Sequence, residues 1–161
     1  MCESMTRFIP AMEKEWFGEW LGGCEDALPH VLYSWHVRAL AIAVFCYADD
    51  HLKERLGNFC RILDESGITW AAESMKKAEV SVLDGKTVYA LLLGAIRAEE
   101  WCPGALLDFC RSGYVLRWLE RLKKIDEKRE KAGNGSDQCE SEDIGPGKGS
   151  AGEGCRGTGI S

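Results

Sequence analysis

The sequence predicts a mainly α, compact multihelical single domain of about five to seven helices, because three observations agree. Apolar residues recur at spacings of three and four over most of residues 31–131, which is the period of an amphipathic helix. Glycine, hydroxyl and amide residues separate these runs at positions typical of helix starts and stops. With 161 residues, of which 45% are hydrophobic and 29% charged, the chain is long enough to bury its own core.

The N-terminal segment is the least regular part. Residues 1–9 show no clear pattern, and Pro10 restricts a helix to the positions after it. Residues 11–21 are interpreted as one short helix, since aromatic and apolar side chains cluster there at helical spacing. The piece near 16–21 is equally typical of a short extended segment, because it is rich in aromatic residues and precedes two glycines. A loop is predicted over 22–29.

Residues 31–50 are predicted to form a long helix, with Ser34 as a candidate N-cap. One wide apolar face recurs at helical spacing, and we expect it to be buried. Its members are Leu32, Trp35, Ala39, Ile42, Ala43 and Cys46.

Two short helices are expected next. Asn58 can cap a helix over 59–65, and Gly67 can end that helix in the left-handed conformation. Residues 70–77 have the pattern of another short helix. Segments of this length are not stable alone, so both need a shared core.

The stretch 81–131 has the densest apolar periodicity and is predicted to form three consecutive helices. Ser81 and Asp84 fit a capping box at the start of the first helix, which is apolar enough to be central. Cys102-Pro103-Gly104 and Ser112-Gly113 separate it from the second and third helices.

A core stripe is expected along these three helices. Gly94 lies within it at a cost of about 1 kcal/mol relative to alanine, which predicts that another backbone or a large aromatic ring approaches closely. The expected core residues are Val88, Leu91, Leu92, Ala95, Ile96, Leu106, Leu107, Phe109, Cys110, Val115, Trp118, Leu119, Leu122 and Ile125.

The composition changes abruptly after Lys131. Residues 132–161 contain nine of the 18 glycines, no aromatic residue, and an excess of acidic over basic side chains. Such a segment cannot bury enough apolar area to offset the entropy lost on ordering. We therefore expect a helical domain over 1–131 and a disordered, Gly-rich acidic tail over 132–161.

The eight cysteines are not predicted to form disulfides. The N-terminus lacks the basic region of a signal peptide, and the longest apolar run, 39–48, is about half of what a bilayer crossing requires. A cytoplasmic location with reduced thiols and no membrane association is expected. Four cysteines are expected to pack as small apolar side chains on helix faces. They are Cys46, Cys60, Cys102 and Cys110.

No motif in the chain predicts a catalytic residue, a cofactor or a metal site, so the sequence favours a non-enzyme and leaves an enzyme of unknown type open. The Asp49-Asp50-His51 cluster has metal-compatible side chains, but neighbouring helical residues point in different directions. His36 with Cys102 or Cys110 is conceivable as a catalytic pair, since such partners need not be adjacent in sequence. A satisfied or exposed histidine is the simpler interpretation.

Several segments carry a family resemblance. They are Asn58–Leu63, Gly67–Trp70, Leu91–Leu107, Ser112–Gly113 and Trp118–Asp126. These segments resemble a bacterial family termed domain of unknown function 6508, over roughly Phe8 to Asp126. The chain departs from the family pattern at Glu100, Trp101 and Pro103. The resemblance implies a small cytosolic domain with no assigned activity, and it provides no catalytic residues.

Two candidate surfaces follow from the sequence. The first is the turn after the central helix, with Arg97, Glu99, Trp101 and Gly104. There, Arg97 either forms an ion pair at an exposed helix end or is partly buried and holds the turn through backbone carbonyls. The second is a basic face on the last helix, made of Arg117, Arg121, Lys124 and Lys128.

The function favoured by the sequence is a non-catalytic protein-interaction module with an unidentified protein partner. No catalytic constellation is present, and some of the six tryptophans can serve as surface anchors. The alternative is a nucleic-acid-binding helical domain that uses the 114–131 helix, although the net charge of -6 disfavours it. An enzyme of unknown type is a weaker alternative.

Overall fold

The computed structural model describes residues 3–14, 16–22 and 29–133, and its fold is mainly α, as predicted. The described helices are α1 (Glu3–Thr6), α2 (Ile9–Met12), α3 (Trp35–Asp50), α4 (Phe59–Glu65), α5 (Ala72–Lys77), α6 (Gly85–Ala98), α7 (Ala105–Arg111) and α8 (Tyr114–Gly133). A two-stranded sheet is formed by β1 (Gly18–Leu21) and β2 (His30–Tyr33), and a 3₁₀ turn covers Leu52–Glu54.

Helix α6 is the centre of the core. Ten consecutive residues, Thr87–Ile96, are buried, as expected for a helix that is apolar on all sides. It contacts α3, α4, α7 and α8. Two polar contacts fix its position among them, because the Tyr89 hydroxyl donates to the Val44 carbonyl at 2.7 Å and the hydroxyls of Ser66 and Thr87 lie 3.0 Å apart.

The start of the chain is more ordered than predicted. Residues 1–9 showed no clear pattern, yet α1 and α2 are single helical turns that bury Met5, Phe8 and Met12 against the rest of the core. Pro10 lies in the first turn of α2, where its missing N–H would have had no helical partner. Tertiary burial therefore stabilises turns that are too short to form alone.

The predicted helix over 11–21 is wrong beyond Met12, and the extended alternative near 16–21 is confirmed. Strand β1 pairs antiparallel with β2, with Trp20 opposite Val31 and Gly18 opposite Tyr33. The predicted start of the long helix at residue 31 is also wrong, because these residues form β2. The predicted loop at 22–29 falls mostly on residues 23–28, outside the described ranges.

Helix α3 begins at Trp35, directly after its predicted cap. The Ser34 hydroxyl accepts the Val37 N–H at 3.4 Å, which confirms the N-cap. The predicted buried face is wrong except for Ala43, since the core side of α3 is formed by a different set of apolar residues that shares only Ala43 with it. Its members are Val37, Leu40, Ala43, Val44 and Tyr47.

The predicted helix over 59–65 is confirmed as α4, and Gly67 follows it in the left-handed region at φ +72°. Asn58 occupies the N-cap position, but its side chain makes no capping hydrogen bond. The next helix, α5, begins at Ala72 rather than at residue 70, and the Trp70 side chain before it contacts α6. Its indole N–H donates to the Gly94 carbonyl at 3.0 Å.

That contact confirms the expected close approach to α6. A Cβ atom on Gly94 would lie 3.3–3.4 Å from Met75, Phe59 and Trp70, so large side chains occupy the space that the glycine leaves. The predicted cap of α6 at Ser81 is wrong. Asp84 is the N-cap, and its carboxylate accepts the Thr87 N–H at 2.8 Å.

The last two helices follow the predicted breaks. Gly104 and Gly113 lie before α7 and α8 with φ of +88° and +76°. The expected core residues of both helices are buried, except for Ile125, which is half-buried. Helix α8 continues to Gly133, two residues past the predicted boundary at Lys131, and the remaining tail, predicted to be disordered, lies outside the described residues.

None of the helices in the described ranges combines the length and the apolar character that crossing a membrane requires.

Candidate interaction surface

The turn between α6 and α7 is held by a carboxylate. Glu99 follows the last residue of α6, and its Oε1 accepts the Gly104 N–H at 2.8 Å while Oε2 accepts the Leu106 N–H at 3.0 Å. These amides belong to the start of α7, where backbone N–H groups have no helical partner. Glu99 therefore caps α7 from a distance of several residues and closes the turn.

Tyr33 of β2 joins the sheet to this turn. The Leu107 N–H donates to the Tyr33 hydroxyl at 3.1 Å, and the same hydroxyl interacts with the Glu99 carboxylate. Burial raises the pKa of Tyr33, and the hydrogen bond and negative charge of Glu99 raise it further. The tyrosine is therefore a neutral structural link that places the sheet over α7.

Two further contacts seat the sheet. Arg111 of α7 donates from Nη2 to the Gly18 carbonyl at 3.2 Å. The Trp20 ring lies directly against Gly104, in the space that a Cβ atom at that position would occupy. Gly104 is thus required both for its left-handed backbone and for the contact with Trp20.

Arg97 does not hold the turn. Its Nη1 lies 2.6 Å from the Glu100 carboxylate in an exposed ion pair, which is the simpler of the two sequence interpretations, and its guanidinium lies 5.0 Å from the centre of the Phe45 ring. The expected clamp through backbone carbonyls is provided instead by Glu99, through backbone amides. Trp101 protrudes from the same turn with 80% of its surface exposed.

The basic face of α8 is partly used inside the fold. The Arg121 guanidinium donates from Nε and Nη2 to the Leu83 carbonyl at 3.2 and 2.8 Å. Arg117 lies 5.8 Å from the centre of the Tyr114 ring. Arg121 therefore holds the loop before α6, which reduces the charge that this face can offer to a phosphate backbone.

The cleft beside this face has mixed charge. It has a volume of about 280 Å³, and Arg117, Arg121 and Lys124 share its wall with Glu79 and Glu120. Hydrogen bonds from Ser81 lower the pKa of Glu79. Lys128 lies further along α8, on an exposed part of the helix. Carboxylates within the cleft oppose the binding of a polyanion.

A third surface is the outer face of α3, which the sequence analysis assigned to the core. Trp35 is 66% exposed and Ile42 62% exposed, Cys46 is exposed, and Ala39 is half-buried. Spacings of four, three and four place these residues on one stripe, which we call the α3 stripe. Of the six residues predicted to form the buried face, only Ala43 is buried.

Charged side chains border the α3 stripe. Arg38 lies beside its N-terminal half, and Asp49 and Asp50 lie at its C-terminal end, all three exposed. Next to Trp35, a groove of about 440 Å³ runs between α2 and α3, with Arg7 and Lys14 among the residues that line it. The stripe is thus apolar in the middle, basic at one end and acidic at the other.

The cysteines and histidines do not form a reactive site in the described ranges. Cys110 is buried, and burial together with the nearby Glu99 charge raises the pKa of its thiol to about 12, so it stays protonated at neutral pH. His36 packs against the Trp35 ring at 3.8 Å between ring centres. No described contact joins His36 to Cys102 or Cys110.

The expected packing of the cysteines is confirmed only for Cys110. Cys60 is half-buried, whereas Cys46 and Cys102 are exposed, because one lies on the outer face of α3 and the other in the turn before Gly104.

The residues suggested for a metal site do not assemble one. His51 is stacked on the Tyr47 ring at 4.0 Å, and its Nδ1 lies 2.8 Å from the Tyr47 carbonyl. In the part of the chain that the structure describes, no three His, Cys, Asp or Glu residues lie close enough to hold a metal ion.

The turn cluster is predictable from the sequence, whereas the role of Glu99 and the exposure of the α3 stripe are not. The role of Glu99 had a weak signal, since a carboxylate precedes the Pro103-Gly104 break and the amides of the next helix start. No signal in the sequence indicates that the α3 stripe is exposed, because α3 is apolar on two opposite faces.

No protein-family model, curated protein or solved structure matches the chain. The resemblance to domain of unknown function 6508 therefore stays a prediction.

Proposed function

We propose that this chain is a non-catalytic protein-interaction module that docks a protein partner on the α3 stripe. The observation that carries the proposal is the exposure of Trp35 and Ile42 on one rigid helix, at 66% and 62%. Tryptophan is enriched among the residues that dominate binding energy at protein interfaces. Exposed apolar side chains that lie together on one face and are bordered by charged residues are typical of such a site.

The energy available at the stripe is adequate for recognition. Complete burial of the exposed parts of these two side chains removes on the order of 250 Å² of apolar surface from water, worth about 6 kcal/mol before the costs of association. Because α3 is anchored by its opposite face, including the fully buried Val44, the backbone of the stripe is already ordered and only its side chains lose freedom on binding. A preformed helical face of this kind suits a partner that offers an apolar groove or a second helix.

The proposal also includes a cellular location and a family. Within the described residues Cys46, Cys60, Cys102 and Cys110 form no disulfide, and a location in the reducing bacterial cytoplasm is proposed from the sequence. Membership of the family of domain of unknown function 6508 is proposed on the sequence segments alone. The nucleic-acid alternative receives no support from the mixed charge of the cleft beside α8.

Affinity capture from native lysate with the full chain tests the proposal, using Ile42→Asp as the disrupting variant. The matched control is Val82→Asp, because Val82 is also an exposed apolar residue, at 75%, but lies in the loop before α6. We expect a partner that is retained by wild type and Val82→Asp and lost with Ile42→Asp, while circular dichroism shows the same helix content in all three. Equal recovery of the partner with Ile42→Asp and Val82→Asp would contradict the proposal.

A further inference from the structure

We propose that the partner fitted by the α3 stripe is a second copy of this chain, bound with the two α3 helices antiparallel about a two-fold axis at the helix midpoint. The inference rests on the proposed function, because it names the occupant of the same surface. The order of side chains along the helix and the charges on its two sides support this arrangement.

The stripe is self-complementary in shape when it meets itself in the antiparallel direction. The midpoint of α3 lies between Ile42 and Ala43. A two-fold axis there places Ile42 against Ile42 of the second copy and brings Ala39 level with Cys46 of the second copy. Ala39 and Cys46 are small, so the two helices can approach closely on both sides of the central isoleucine pair.

One side of the α3 stripe, which carries Arg38 and Asp49 and which we call the first flank, is also self-complementary in charge. At about 100° per residue, Arg38 and Asp49 fall on the same side of the stripe. Antiparallel pairing brings this flank against itself with its direction reversed, so Arg38 of each copy lies within about 3 Å, along the helix axis, of the level of Asp49 in the other. Within the described residues, neither side chain has an ion-pair partner of its own.

The second flank repeats the pattern. Arg7 and Lys14 border the groove beside Trp35 and Ala39, whereas Asp50 lies at the C-terminal end of the same side of α3. The same two-fold axis brings the basic end of each copy to the acidic end of the other. Parallel pairing would place the like charges together, which costs free energy and selects against that arrangement.

The contact is small for an obligate dimer. Four stripe residues and their flanks span about 16 Å of helix, which corresponds to an interface at the lower end of the range for specific complexes. We therefore expect reversible dimerisation, with a monomer at low concentration and a dimer at high concentration.

Sedimentation velocity of the full chain over a concentration series, at low salt, tests the inference. Wild type should shift from monomer to dimer, and Ile42→Asp should stay monomeric where Val82→Asp still dimerises. Arg38→Glu and Asp49→Lys should each weaken dimerisation about tenfold, since both ion pairs become repulsive. An equimolar mixture of these two variants should dimerise to within about threefold of wild type, because both cross-pairs are attractive again.

Oxidative cross-linking checks the orientation. Ala39→Cys should form a dimer in which peptide mapping finds a disulfide between positions 39 and 46 of the two copies, and this disulfide should disappear when Cys46→Ser is added, because Ala39 and Cys46 of the two copies lie level. Single charge variants with unchanged dimerisation, or a dimer of the Ala39→Cys variant without a 39–46 disulfide, would overturn the antiparallel arrangement.

Failure of the inference is distinguishable from failure of the proposed function. A chain that stays monomeric at every concentration, while a different protein is captured in a manner lost with Ile42→Asp, refutes the second copy and leaves the interaction surface standing. A monomeric chain with no partner sensitive to that variant refutes both. A dimer of the wild type that Ile42→Asp leaves intact refutes the inference as well, since the contact then lies elsewhere.

Discussion

Replacing Glu99 by alanine is the most direct test of how the fold is held together at the turn before α7. The substitution removes the acceptor for two backbone amides, those of Gly104 and Leu106, and also the partner of the Tyr33 hydroxyl. All of these groups are partly shielded from water, so the vacated amides recover only part of their hydrogen bonding from solvent.

The magnitude follows from the number of bonds. A hydrogen bond to a charged acceptor contributes about 1.5–3 kcal/mol, and loss of a helix cap typically costs about 1 kcal/mol. For two half-buried amides we expect Glu99→Ala to lower the free energy of unfolding by about 2–3 kcal/mol. Glu99→Gln keeps one acceptor oxygen and should lose about half as much.

Urea denaturation followed by circular dichroism measures this difference. The matched control is Glu100→Ala, since the neighbouring carboxylate makes only the exposed ion pair with Arg97 and its loss should stay within about 0.5 kcal/mol. In thermal unfolding, the melting temperature of Glu99→Ala should be about 6–12 °C below that of wild type. If the alanine variants at 99 and 100 have the same stability, the turn is not held by Glu99 and the reasoning fails.

Three further predictions concern packing and titration. Gly104→Ala should destabilise by about 2–4 kcal/mol in urea denaturation, because a left-handed backbone and the Trp20 ring both oppose a side chain; a loss below 1 kcal/mol would be inconsistent with that contact. Gly94→Ala should lose about 1 kcal/mol although alanine favours helices, since overpacking outweighs propensity; a gain in stability would show that the neighbours can move aside. Burial raises the pKa of Cys110 from 9.0 to about 12, so its stabilising contribution is complete below pH 9 and is lost as the pH rises toward 12. Wild type should therefore lose up to about 1.4 kcal/mol per pH unit more than Cys110→Ala in that window, whereas Cys102→Ala should follow wild type.

The sequence predicts some helices better than others. Helix α4 has its expected bounds because Gly67 is a local stop signal that needs no tertiary contact. Helix α6 was identified as central because it is apolar on every side, so no choice of face was required. In both cases the information lies within one or two turns of chain.

The candidate site was less predictable, because its contacts depend on how the helices pack and not on short stretches of chain. Arg97 and Glu99 are two residues apart at the end of one helix, and either had the chemistry to hold the following turn. The direction of the chain after Ala98 decides which side chain meets the amides of α7, and that direction depends on how α7 packs on α6. The spacing of Arg97 and Glu99 along the sequence does not determine this direction.

Local sequence therefore determined the helical class, the position of the main breaks at Gly67, Gly104 and Gly113, and the identity of the central helix. Backbone preferences and the 3.6-residue period act over short distances, so these features are present before any helix meets another. Only the tertiary structure decided which of the two apolar faces of α3 is covered. Burial depends on where the other helices lie, and their packing against Val44 leaves Trp35 and Ile42 in solvent.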